Sequence, residues 1–133
     1  MCMRLALVIA LAAGCATPGA AQTPARPEMV LRQVVSGMPR GEQQEIQVLT
    51  ATIAPGQRTV FHTHRFPVTV YLLQGAFTLE MEGREPVTVR AGMSLIEPPD
   101  VRMTGSNQST TEAVSLVIYY VGDPGTPFLD PIN

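Results

Sequence analysis

A chain of 133 residues suits one domain with a modest core, and its 15 % charged side chains and formal net charge of -2 place it among globular proteins of near-neutral balance. That balance argues against a nucleic-acid or polyanion partner, which requires clustered cationic side chains. All nine cationic residues are arginines, so Schiff-base or amine-nucleophile chemistry from lysine is excluded as well.

Arg4, an apolar run over 5–13 and small residues down to Ala21 give the pattern of a signal peptide over 1–21. The apolar run is well short of the ~20 residues of a spanning helix, so no transmembrane segment is expected. Two processing routes compete. Gly19 and Ala21 suit cleavage after Ala21, whereas Leu11, Ala12, Ala13, Gly14 and Cys15 form an imperfect lipobox that would anchor the domain through a lipid on Cys15. Either route predicts a secreted or periplasmic protein. Cys2 and Cys15 are the only cysteines, so the domain itself lacks thiols for disulfides, metal ligation or nucleophilic catalysis. Residues 22–28, with Pro24 and Pro27, read as a linker.

From Met29 to the end the chain reads as one all-β domain. Strands are predicted over 30–35, 45–53, 59–64, 68–74, 77–82, 86–90, 94–97, 101–104 and 113–121, divided by Gly and Pro turns, with no sustained helical period. Many short strands at even spacing indicate a sandwich or barrel. The run Thr78, Leu79, Glu80, Met81, Glu82 alternates as a strand with one wet face. Gly75 and Gly83 are expected in hairpin turns. Residues 123–133, rich in Pro and Gly, are expected to cross the barrel surface as an extended tail.

His62 and His64 are the only histidines, one residue apart in the third predicted strand. Side chains alternate faces along a strand, so both rings project the same way, roughly 6.5 Å apart along the backbone, and can close on one ion. Phe61, Phe66 and Leu72 are expected to line a nearby pocket. Arg65 and Arg102, adjacent to site positions, are expected to face solvent.

Gly56, His62, His64 and Gly75 fall at the spacing of the first cupin motif, and Gly92, Pro98 and Asn107 echo the second. The chain therefore resembles the cupin family, which implies a double-stranded β-helix, or jelly roll, with its pocket between two sheets. The resemblance also implies metal ligands, and these are incomplete. Val68, followed by Thr69, stands at the place of the ligand Glu, Met103 at that of the last His, and Asp100 at that of a Gly. Two imidazoles alone would hold Fe²⁺, Mn²⁺ or Zn²⁺ weakly.

Three readings of the histidine pair stay open: hydrogen-bonded structural residues, a metal site completed by Glu97 or Asp100, or donors to an organic ligand without metal. A copper variant would use the Met103 thioether, although Met103 also suits core filling. At the level of function, the first expectation is a small-molecule or metal-binding module with a degenerate site. The alternatives are a metal-dependent dioxygenase, isomerase or decarboxylase with non-standard ligands, and a non-catalytic homodimer paired through its sheets.

Overall fold

The computed structural model describes residues 22–133, so the predicted signal peptide and the lipobox at Cys15 lie outside the described residues. Nine strands follow in order: β1 (Glu45–Ile53), β2 (His62–Thr63), β3 (Val68–Gln74), β4 (Ala76–Met81), β5 (Val87–Arg90), β6 (Ser94–Glu97), β7 (Met103–Ser106), β8 (Val114–Gly122) and β9 (Asp130–Pro131). They form two sheets, β1-β8-β3-β6 and β5-β4-β7-β2-β9, antiparallel throughout. The described residues contain no helix, and so none long and apolar enough to cross a membrane. This is the expected all-β jelly roll.

Period-two alternation builds the core. Along β8, Val114, Leu116, Ile118 and Tyr120 are buried while their neighbours face outward; on β3 the buried set is Val68, Val70 and Leu72. These side chains meet Phe77, Leu79, Val89 and Met103 of the second sheet in one cluster. Each large side chain buried this way contributes about 1.5–3 kcal/mol. The ladder between β1 and β8 runs unbroken from Glu45 opposite Gly122 to Ile53 opposite Val114.

Gly75 does not sit in a hairpin. It carries the chain from β3 in one sheet to β4 in the other, with φ of 79°. A Cβ there would lie 2.7 Å from the Ala113 carbonyl oxygen, so both the backbone conformation and the close approach demand glycine. Gly83, by contrast, occupies the turn between β4 and β5, as expected. Asn107 staples the same end of the barrel: its buried amide donates to the Ile53 and Glu112 carbonyls at 2.9 and 2.8 Å, and its side-chain oxygen accepts the Ser109 N–H.

Other sequence expectations need correction. Residues 30–35 form no strand, because no sheet edge pairs with them; Val34 is 98 % exposed. The segment predicted over 59–64 pairs as a strand only at His62–Thr63. The alternation in β4 fails at Thr78, which is buried and shares a 2.8 Å hydrogen bond with the Thr88 hydroxyl. The tail does cross the surface, and there it adds β9 to β2 at the edge of the second sheet.

Candidate metal centre

The two imidazoles and one carboxylate converge at the inner face. His62 lies on β2, His64 immediately follows it, and both are buried together with Glu97 at the end of β6. The rings meet edge-on with centroids 4.6 Å apart. Nε2 of His62 is 3.0 Å from Nε2 of His64, which is 3.0 Å from Oε2 of Glu97. One ligand atom from each residue lies within 4.8 Å of the others, so the group could hold a metal ion.

The outer nitrogens determine what the inner ones offer. Nδ1 of His62 lies 2.7 Å from the Val60 carbonyl oxygen, and Nδ1 of His64 is equally close to that of Phe128. A carbonyl only accepts, so each Nδ1 is the donor, and in the neutral ring each Nε2 then carries a lone pair. Two lone pairs and a carboxylate oxygen thus face one another. Acceptors at 3.0 Å repel unless a cation or proton lies among them, and rings held through Nδ1–H to carbonyls are oriented as metal ligands are. The donor set therefore fits a metal ion. Burial, the largest influence, pushes His62 below the ordinary histidine value; the nearby His64 acts the same way, while the Val60 carbonyl and Glu97 oppose them. Burial thus favours the neutral ring of His62, the form that can ligate.

A small apolar cavity opens onto His62 and Glu97. The tail forms part of its wall through Phe128 and Leu129, and is latched by the paired hydrogen bonds from Arg65 to Asp130, 2.9 and 3.0 Å long. The tail backbone also binds the β2 region through the Ile132 N–H, donated to the Phe61 carbonyl at 2.8 Å.

Comparison with known proteins agrees with this architecture. The family model for the cupin domain matches residues 49–119, more than half of the chain. The chain belongs to the cupin family. No curated protein sequence matches it. Among solved structures it is similar to a cupin-like protein from Thermotoga maritima, with 18 % identity and a TM-score of 0.57 over 66 % of this chain and 65 % of that one. It is also similar to the polyketide cyclase RemF from Streptomyces resistomycificus (17 %, 0.53, 66 % and 61 %) and to the DMSP lyase DddQ from Ruegeria pomeroyi (18 %, 0.55, 62 % and 41 %). This chain thus spans less than two thirds of each of those three proteins. At these identities the likeness concerns the fold.

Set against the cupin motifs, the position of the carboxylate becomes intelligible. Val68, at the place of the ligand Glu, is a fully buried core residue, and the residue directly opposite it across the β3–β6 ladder is Glu97. Opposed residues of an antiparallel pair project to the same face. The Glu97 carboxylate therefore enters the same interior from one strand over. Thr69 points the other way and is only partly buried. Met103, at the place of the last His, pairs with His62 across β7 and β2 and lies fully buried in the core cluster.

The remaining sequence candidates are outside the cluster. Asp100 is exposed in a left-handed conformation with φ of 60°, and its N–H donates to the His64 carbonyl at 2.8 Å. Leu72 is core, Phe66 packs against the core, and Phe61 is 41 % exposed beneath the Arg102 guanidinium, so none of the three lines the cavity. Arg65 and Arg102 face solvent as expected. Sequence reasoning missed the tail's contribution, because a backbone carbonyl has no residue-type signature; the aromatic Phe128 in a Pro-rich terminus was the one available hint.

Proposed function

We propose that this cupin binds one divalent transition-metal ion through His62, His64 and Glu97 and presents it to a small molecule in the adjoining cavity. The observation that carries this reading is the convergence of a buried carboxylate oxygen and two buried imidazole Nε2 atoms, each left with a lone pair in the neutral ring because its Nδ1–H is donated to a carbonyl. Two imidazoles and a carboxylate suit Fe²⁺, Mn²⁺ or Zn²⁺, and the hard carboxylate weighs against Cu(I) with Met103. When bound, such an ion supplies a Lewis acid that polarises an oxygen-bearing ligand. His62 and Glu97 border the cavity and so orient what enters, while the apolar wall excludes water. The same arrangement serves a binding module or a metal-dependent enzyme.

Elemental analysis of the mature domain purified without chelator tests the reading. Near-stoichiometric metal, lost in His62→Ala, is expected; a protein that neither retains nor takes up Fe²⁺, Mn²⁺ or Zn²⁺ refutes it, and ligand stabilisation in excess chelator would then favour the metal-free binding reading. The leader over 1–21 supports export, and the mass of the mature N-terminus distinguishes cleavage after Ala21 from lipidation of Cys15.

A further inference from the structure

The composition of the cavity restricts what the site can accept. Its far wall is Ala51, Ile53, Val70, Phe77, Leu116 and Ile118, and the tail's Phe128 and Leu129 add a further apolar side. Among the described residues three polar side chains border it: Thr59, His62 and Glu97. The Thr59 hydroxyl is already engaged, accepting the Gly105 N–H at 2.8 Å and meeting the Thr104 hydroxyl at 3.4 Å. Nδ1 of His62 is bonded to Val60. Polarity is therefore available at one end alone, where Nε2 of His62 and the Glu97 carboxylate lie.

Nothing in the far wall can pair with a second charge or a second hydroxyl. No arginine lines the cavity and the chain contains no lysine. A buried polar group without a partner loses the hydrogen bonds it made to water and gains none. Size restricts the choice further. The cavity measures about 60 Å³, less than half of the ~150 Å³ of a dry apolar cavity that holds benzene.

We propose that the cavity takes single-headed ligands of up to about four heavy atoms, with one oxygen or nitrogen at the His62–Glu97 end and a hydrocarbon remainder, and rejects sugars, dicarboxylates and phosphorylated compounds. The orientation of the head rests on the metal reading above; the apolar selectivity of the body rests on the wall alone.

Two measurements on the full mature chain separate these parts. In Co²⁺-loaded protein, the visible absorption band reports ligands reaching the ion. 1-Propanol is expected to perturb it at concentrations about tenfold or more below 1,2-ethanediol, which has the same number of heavy atoms, because the second hydroxyl has no partner. Equal or reversed preference overturns the proposal. In metal-free protein with chelator, the ¹²⁹Xe chemical shift reports a dry cavity, and Ala51→Leu, which fills the wall without touching a ligand, is expected to abolish the effect while leaving Co²⁺ uptake intact. Leu116→Phe serves the same purpose should the first variant not fold. Failure to take Co²⁺ would defeat the metal reading, and xenon would then decide the cavity: a shift abolished by filling supports its apolar selectivity, and no shift overturns it.

Discussion

Replacing Glu97 by Gln separates the needs of the metal from those of the fold. In the metal-free protein, Nε2 of His64 lies 3.0 Å from both Nε2 of His62 and Oε2 of Glu97, with both Nδ1 atoms committed to carbonyls. An amide at residue 97 brings an N–H that can donate to Nε2 of His64, relieving one buried unsatisfied acceptor, worth about 1–3 kcal/mol. Melting of the chelated variant should therefore match or exceed that of the wild type, by about 4 °C for each kcal/mol gained. Metal binding should move the other way. Changes to groups behind a ligand already lower affinity about 10–100-fold, and loss of a ligand's charge should reach at least the upper figure. At a metal concentration about 100 times the wild-type Kd, the wild type gains about 2.7 kcal/mol and the variant only about 0.4 kcal/mol. Calorimetric melts at pH 7.5, with chelator and with added Zn²⁺ or Mn²⁺, measure both quantities. A variant that is less stable in chelator yet keeps the full metal-induced shift would refute the reasoning, since Glu97 would then be the partner of an imidazolium and not a ligand.

Three further outcomes are expected. The His62 value is lowered from 6.5 by burial, so the unfolded chain takes up the proton first; the contribution of neutral His62 is complete above about pH 6.5 and declines as the pH falls toward the lowered value. Melting of the chelated protein should accordingly drop between pH 7 and 5, and His62→Gln should flatten that slope. Among the described residues the enclosed Tyr120 hydroxyl has no partner in good hydrogen-bond geometry, and burial raises its pKa against the weaker pull of the nearby Phe66 and Arg65 backbone N–H groups. Tyr120→Phe should leave stability unchanged or raise it by up to about 1 kcal/mol in urea titration, and a clear loss would show that the hydroxyl is bonded in solution. A Cβ on Gly105 would lie 2.3 Å from the Phe77 ring, so Gly105→Ala should lose about 1–3 kcal/mol, recovered in part when Phe77→Leu makes room.

The features legible in the sequence were those written in adjacent residues. Gly and Pro punctuation with two-residue alternation marked β1, β3, β6 and β8 almost to their ends, and the spacing of His62 and His64 on an extended segment placed both rings on one face before any fold was known. The cupin motifs added the jelly roll around them. Local pattern misled where pairing decides: 30–35 has the residues of a strand but no edge to join, and Gly75 has the look of a hairpin although it bridges two sheets.

What the tertiary structure decided was which carboxylate stands beside the two imidazoles. Glu97, immediately before Pro98, was the carboxylate the sequence put first, with Asp100 close behind it, and Val68 left the usual place empty. Only the register that sets Val68 opposite Glu97 brings the carboxylate of Glu97 to Nε2 of His64, while Asp100 is left exposed. The Phe128 carbonyl that orients His64 comes from a tail 64 positions away. Side-chain direction follows from neighbours along the chain, whereas register and tail docking depend on how whole sheets bury their apolar faces, and no short stretch of residues carries that information.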